Sequence, residues 1–191
     1  FNGEGTEQHT GECSPADGFA VPSPLTLVAF QNHMGYRPPN PEVVNILLDS
    51  CAFDPKYGPE DVASAEIFRW CEESRLTLMI AHSTQKEIEH PNTPSWVKHE
   101  ASYRVPTMPT ELNQDERHQL QAILETLAGN GVPENFTQDA QNVFEAGKYG
   151  PYFVTTDKRI LNKAAQLHDL CGALVVKPSR LLEIREMYKV A

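Results

Sequence analysis

Apolar positions along this chain switch repeatedly between a short continuous run and a 3.6-residue period, and the switches predict the elements. Val43-Val44-Asn45-Ile46-Leu47-Leu48 is a β-rich run ending at Asp49 and reads as a strand buried on both faces. After a loop at Pro55 to Pro59, residues Glu60 to Ser74 place Ala63, Ile67, Trp70 and Cys71 at helical spacing, which predicts an amphipathic helix. Leu76 to Ala81 is a second strand, and Ser83 is read as the cap opening a short helix that carries Lys86, Glu87 and Glu89. Pro91, Pro94, Pro106 and Pro109 punctuate the next stretch, with one helix over Ser95 to Tyr103. Asn113 to Ala128 puts Leu120, Ile123, Leu124 and Leu127 on one face and is stopped by Gly129-Asn130-Gly131. Thr137 to Gly147 turns Ala140, Val143 and Phe144 inward as a further helix. A strand at Tyr152 to Thr155, a helix at Lys158 to Leu167, a strand at Ala173 to Val176 and a helix at Ser179 to Tyr188 complete the pattern.

Strands alternating with helices imply an α/β fold. A parallel return needs a crossover and a helix supplies it, so the expectation is three α/β/α layers around a central parallel sheet. Ligands in such sheets sit beyond the carboxyl ends of the strands. Residues 1–41 stand apart as a Pro/Gly-rich extension that ends in Pro38-Pro39-Asn40-Pro41, and residues 42–191 form the domain. Within the extension only Phe19 to Val21 and Leu25 to Phe30 are apolar enough to order, the latter as a short added strand or docking arm. The chain starts at Phe1 without an initiator Met, read here as a fragment, a processed form or a tagged chain. The opening FNGEGTEQHTGE has no basic head and no apolar stretch, so no signal peptide is expected there.

Composition narrows the function classes. The balance of 40% hydrophobic and 22% charged residues is that of a globular chain, not a disordered one. No apolar run approaches the roughly 20 residues that cross a bilayer, so no membrane association is expected. Net charge is −10, and no basic stripe offsets it, so binding of nucleic acid through phosphates alone is disfavoured. The acidic excess reads either as a soluble surface or as acids that converge on a cation. Cys13, Cys51, Cys71 and Cys171 include no CxxC pair, which argues against a zinc ribbon and for a reducing, cytoplasmic compartment. Cys51 and Cys71 sit in or beside apolar segments and are expected to pack as small buried side chains.

Four carboxylates are placed where a site belongs. Asp49 ends the first strand, and Asp157 lies two residues past the strand at Tyr152 to Thr155. Glu87 is about a turn into the helix after the second strand, and Asp139 stands near the start of its helix. Together at one edge they would repel and take up protons unless a divalent cation intervened. Magnesium takes oxygen ligands and only one or two carboxylates directly, and it can polarise a phosphodiester and activate water. Ser50 and Thr155 are candidate donors to water or carboxylate. Lys148, Lys158, Arg159 and Lys163 lie near the same edge as candidate phosphate contacts. Each of these residues also has an ordinary structural role to set beside the chemical one. Asp49 can end a loop, Asp157 can cap the helix at Lys158, Asp139 can favour a helix dipole, Glu87 and Glu89 can be helix surface, and the basic residues can be solvated.

The segment from about Val44 to Ile184 resembles the PIN-domain family of nucleases, which includes toxin–antitoxin ribonucleases. The resemblance rests on four motifs in order. They are Ile46-Leu47-Leu48-Asp49-Ser50-Cys51, then Ile80-Ala81-His82-Ser83 leading to Glu87-Ile88, then Asp139-Ala140 continuing to Gly147, and finally Phe153-Val154-Thr155-Thr156-Asp157-Lys158. It implies a metal-dependent endoribonuclease that uses Mg2+ or Mn2+ on Asp49, Glu87, Asp139 and Asp157 to hydrolyse RNA. Single-stranded RNA is expected, because unstacked strands can thread past a shallow site. The alternatives are a catalytically weak or inactive PIN-like module that binds RNA or protein, and a toxin with an inhibitory protein partner. Homodimerisation is also among the family's habits. Cys51 stands where the family usually has Asn, which implies weaker hydrogen bonding around Asp49, and Arg159 stands at a position that is often acidic.

Other chemistries fit less well. His82, His90 and His99 are irregularly spaced for zinc. An aspartyl phosphatase would want a second Asp where Cys51 stands. No GxSxG and no Cys–His–Asn set is present.

Overall fold

The computed structural model describes residues 37–52, 58–93, 95–108 and 111–189, leaving outside that description the side chains of Lys86, Glu87 and Trp96. The candidate apolar segments at 19–21 and 25–30, Cys13 and most of the 55–59 loop also fall outside the described residues.

The apolar run that follows Pro41 divides in two. Pro41–Val43 is a 3-10 turn, with Asn40 accepting from the Glu42 amide at 3.0 Å, and only Asn45–Leu48 forms the first strand, β1. Proline suits the first position of such a turn because its missing N–H would have no partner there. Val43 is 77% exposed, so the expected strand loses its first two residues to the turn.

The chain then runs through α1 (Asp61–Glu72), β2 (Thr77–Ile80), α2 (His82–Ile88), α3 (Ser95–Ser102) and β3 (Val105–Pro106). It continues through α4 (Gln114–Ala128), a 3-10 turn at Pro133–Phe136, α5 (Thr137–Tyr149), β4 (Tyr152–Val154), α6 (Lys158–Leu161), α7 (Ala164–Cys171), β5 (Leu174–Val176) and α8 (Pro178–Lys189). Asn113 caps α4 in a reciprocal pair with Glu116, and Gly129, at φ 53°, ends it.

Among the described residues every strand pairing is parallel, and the order across the sheet is β3-β2-β1-β4-β5. Side chains of β1 alternate between the faces, as a period of two requires. Ile46 and Leu48 join one core with Leu78, Ile80, Trp70 of α1 and Leu181 and Ile184 of α8. Leu47 joins the other with Phe153, Ile123 of α4, Val143 and Phe144 of α5 and Leu167 of α7. These two cores make the three α/β/α layers. From β1 the chain builds outward to β2 and β3, and it returns to the other side of β1 for β4 and β5. The order therefore reverses between β1 and β4, which is where a parallel sheet opens a crevice at its carboxyl edge. No helix of the described residues is long and apolar enough to cross a membrane.

Two elements depart from the sequence pattern. β3 was not apparent, because a two-residue strand ending in Pro106 carries no periodicity; proline is tolerated there because β3 is an edge. The single helix expected over Lys158 to Leu167 is two, since Lys163 leaves the helical path (φ −106°, ψ 5°). Ile160 and Leu167 still enter the same core.

The amino-terminal side of the described chain is fastened to α8. Arg185, 1% exposed, lies 3.7 Å from the centre of the Trp70 ring and pairs with Glu42 at 2.5 Å. The hydroxyls of Tyr152 and Tyr188 donate to the carbonyls of Pro39 and Pro38.

Gly147 is where α5 passes closest to the end of α7: a Cβ built there would meet the Cys171 carbonyl oxygen at 2.5 Å. Replacing a helical glycine by alanine ordinarily stabilises. Here the sign should reverse, with Gly147→Ala lowering stability by about 1–3 kcal/mol through overpacking. Urea denaturation of the two proteins measures it, and an unchanged or raised midpoint would contradict the close packing.

Candidate active site

The carboxyl ends of β1 and β4 are joined at the point where the strand order reverses. The Asp49 amide donates to Val154 O at 2.9 Å, and the Thr155 amide continues the ladder to Val176 O at 3.0 Å. Asp49 is 5% exposed, and its Oδ2 accepts from Thr155 Oγ1 at 2.6 Å and from Cys51 Sγ at 3.0 Å. Thr155 Oγ1 in turn accepts the Asp157 amide at 3.0 Å. One hydroxyl thus fixes the rotamer of Asp49 and the backbone leading to Asp157.

Cys51 sits in the 3-10 turn Ser50–Ala52 that Ser50 opens directly after Asp49. Its sulfur also accepts the Thr156 amide at 3.3 Å. Burial first, and the neighbouring Asp49 charge second, push the thiol pKa up. Cys51 therefore keeps its proton and donates it to Asp49. Sulfur is a poorer hydrogen-bonding atom than an amide nitrogen, so the donor that Asp49 receives from position 51 is a soft one.

Asp157 caps α6, accepting from the Arg159 amide at 2.7 Å. The same carboxylate takes the Arg159 guanidinium in a fork, with Nε at 3.0 Å and a terminal nitrogen at 2.5 Å from Oδ2. That terminal nitrogen lies 3.7 Å from Asp139 Oδ2, in the first turn of α5. The guanidinium also lies 5.6 Å from the ring centre of Phe136, just before α5, and it feels the charge of Asp49. Asp157 is held below the usual carboxylate range, chiefly by its hydrogen bond to Arg159, and Arg159 is raised in return. Two of the four expected acids, Asp139 and Asp157, thus meet one cation supplied by the chain itself, and Asp49 is joined to the Asp157 segment through Thr155.

The fourth, Glu87, lies in α2, which follows β2 at the same edge; its side chain is outside the described part of the structure. Among the described residues, no group of three or more His, Cys, Asp or Glu side chains is arranged to hold a metal ion. The Arg159 guanidinium stands against Asp139 and Asp157 instead.

The basic residues divide. Arg159, expected to meet phosphate, is turned onto carboxylates, with its side chain still 62% exposed. Lys158 is exposed at the start of α6. Lys148 stands nine residues after Asp139, roughly 13 Å of helix rise, and pairs with Glu116 at 2.7 Å. Lys163 follows α6 and precedes α7.

Ser83 is not the cap of its helix. The helix begins at His82, and Glu145 of α5 closes it from outside, accepting the His82 amide at 2.8 Å and Ser83 Oγ at 3.0 Å. Thr107 donates to the same carboxylate. Beside it, Asn142 Oδ1 accepts from Ser83 Oγ at 2.5 Å, Thr84 Oγ1 at 2.9 Å and Gln138 Nε2 at 3.2 Å. Asp139, Asn142 and Glu145 form an i, i+3, i+6 stripe along α5, a spacing visible in the sequence. Glu145 and Lys148 also line an open cavity of about 170 Å³ with His82, Phe144 and Tyr149.

Neither a family model, nor a curated protein, nor a solved structure matches the chain.

Two outcomes test this geometry. Thr155→Val removes the donor to a buried carboxylate and the acceptor for the Asp157 amide, and should destabilise the fold by about 2 kcal/mol, while Thr155→Ser should recover most of it. Equal stability of the valine and serine variants in a denaturant titration would exclude the bridge. The second concerns acid. A carboxylate whose pKa is depressed by folding stabilises the fold above its unfolded value, and that contribution disappears as pH falls through the folded value. The Asp157 carboxyl, followed by NMR, should titrate below the ordinary aspartate value of about 3.9 and move upward in Arg159→Gln. A midpoint indifferent to Arg159 would rule out the ion pair.

Proposed function

We propose that the chain is a PIN-type endoribonuclease that hydrolyses phosphodiester bonds of single-stranded RNA with the help of Mg2+ or Mn2+. The observation that carries this reading is the convergence of Asp49, Asp139 and Asp157 at the strand-order reversal of a parallel sheet. Bringing acids together costs free energy in a fold unless a cation is part of the design. The donor set is all carboxylate oxygen, which suits a hard divalent ion. Asp49, Asp139, Asp157 and, from α2, Glu87 are the residues that would hold it.

When bound, such an ion polarises a phosphoryl oxygen and lowers the pKa of a coordinated water. The chain supplies the setting. Thr155 and Cys51 both donate to Oδ2 of Asp49, so among the described residues Oδ1 is the oxygen left for a cation. The α6 cap orients Asp157 through a backbone amide, independent of any ligand. Lys158 and Arg159 stand beside the acids, where they would meet an incoming phosphate. A chain of net charge −10 has little else to offset the charge of RNA, so the reading calls for a bound metal to do so. A cytoplasmic setting accords with the free thiols of Cys51, Cys71 and Cys171.

A second reading, a catalytically weak or inactive module that binds RNA or protein, is favoured by one observation: Arg159 already neutralises two of the acids. Incubating a mixed RNA pool with the protein in magnesium, manganese or EDTA separates them. Cleavage should require the metal and fall roughly a hundredfold or more in Asp49→Asn. Absence of metal-dependent cleavage, or full activity of the variant, would refute the nuclease.

A further inference from the structure

We infer that Arg159 is a built-in competitor for the acidic centre, so that a divalent ion enters only as its guanidinium leaves Asp157 and Asp139. The inference rests on the metal-dependent reading above and adds the chain's own gate to it.

Arg159 touches the same carboxylates that the reading assigns to the ion, bonding Asp157 Oδ2 through two nitrogens and reaching Asp139 Oδ2 at 3.7 Å. A guanidinium and a metal ion cannot both occupy that space. The arrangement is also one that can be undone. The side chain is 62% exposed, and ion pairs at that exposure are weak. Asp157 does not lose its orientation when the guanidinium departs, because the Arg159 amide still holds Oδ1 at 2.7 Å and the Thr155 hydroxyl still holds the Asp157 backbone. Asp49 stays fixed by Thr155 and Cys51, neither of which involves Arg159. Asp49 and Asp157 therefore remain in place whichever cation the site faces. Arg159 offsets the charge of Asp157 and Asp139 in the metal-free protein, at the expense of metal affinity.

The test combines affinity with a direct view of the side chain. Manganese is titrated calorimetrically, at constant ionic strength, into the full chain and into Arg159→Gln and Arg159→Lys. The glutamine variant should bind manganese about tenfold more tightly, the scale of two exposed ion pairs. Lysine keeps the charge but cannot make the two-nitrogen fork. It should therefore bind more tightly than the parent. In parallel, the Arg159 Nε–H resonance, assigned by its loss in Arg159→Lys, should shift in step with added magnesium. Equal manganese affinity of parent and Arg159→Gln would overturn the inference and leave the metal-dependent reading standing. So would parent-like affinity of Arg159→Lys, which would assign the effect to charge at a distance, or an Nε–H signal unmoved at saturating magnesium. Absence of manganese binding by all three proteins would overturn the reading and this inference together.

Discussion

The hydroxyl of Thr155 is the joint on which the rest of the candidate site depends. It donates to a nearly buried carboxylate on the end of β1 and accepts an amide on the way out of β4. Two strands far apart along the chain are tied at their carboxyl ends by this oxygen, beside the Asp49 amide's bond to Val154 O and the Thr156 amide's bond to Cys51 Sγ. A buried aspartate without such a donor would be costly. With it, Asp49 is held in one rotamer, Asp157 is set to cap α6, and Arg159 falls within reach of both α6 and α5. The location follows from topology, since only where strand order reverses does the crevice between neighbouring loops open wide enough for side chains from both to meet.

Much of this frame was legible in the sequence because it depends on short-range pattern. The strands at Ile46 to Leu48 and Tyr152 to Val154 are apolar without interruption, as burial on both faces requires. The helices at α4 and α5 carry their apolar stripe at the expected period. The rule for parallel sheets puts Asp49, Asp139 and Asp157 at one edge; the coordinates bring Asp139 and Asp157 onto one guanidinium and link Asp49 to the Asp157 segment through Thr155. The boundary errors differ in cause. The strand-forming Val43 yields to the local turn that Pro41 sets, whereas Ser83, a good capping residue, yields to the distant Glu145.

What was not legible was long-range and polar. Nothing near Ser83 announces that Glu145, some sixty residues later, closes its helix, or that Asn142 accepts three hydrogen bonds in the interior. The i, i+3, i+6 spacing of Asp139, Asn142 and Glu145 was the available clue. Arg159 was similarly ambiguous. Its charge suggested phosphate, and only the fold reveals that carboxylates surround it first.

The outer margin of the sheet has a consequence of its own. β3 is two residues long, and its second member, Pro106, has no amide hydrogen. A foreign strand approaching that side would find almost no ladder to extend and a pyrrolidine ring where a donor should be. Stacking of one molecule onto the next by β-strand addition is therefore blocked at this flank, which keeps a sheet with the apolar Val105 at its rim from serving as a seed for fibrils.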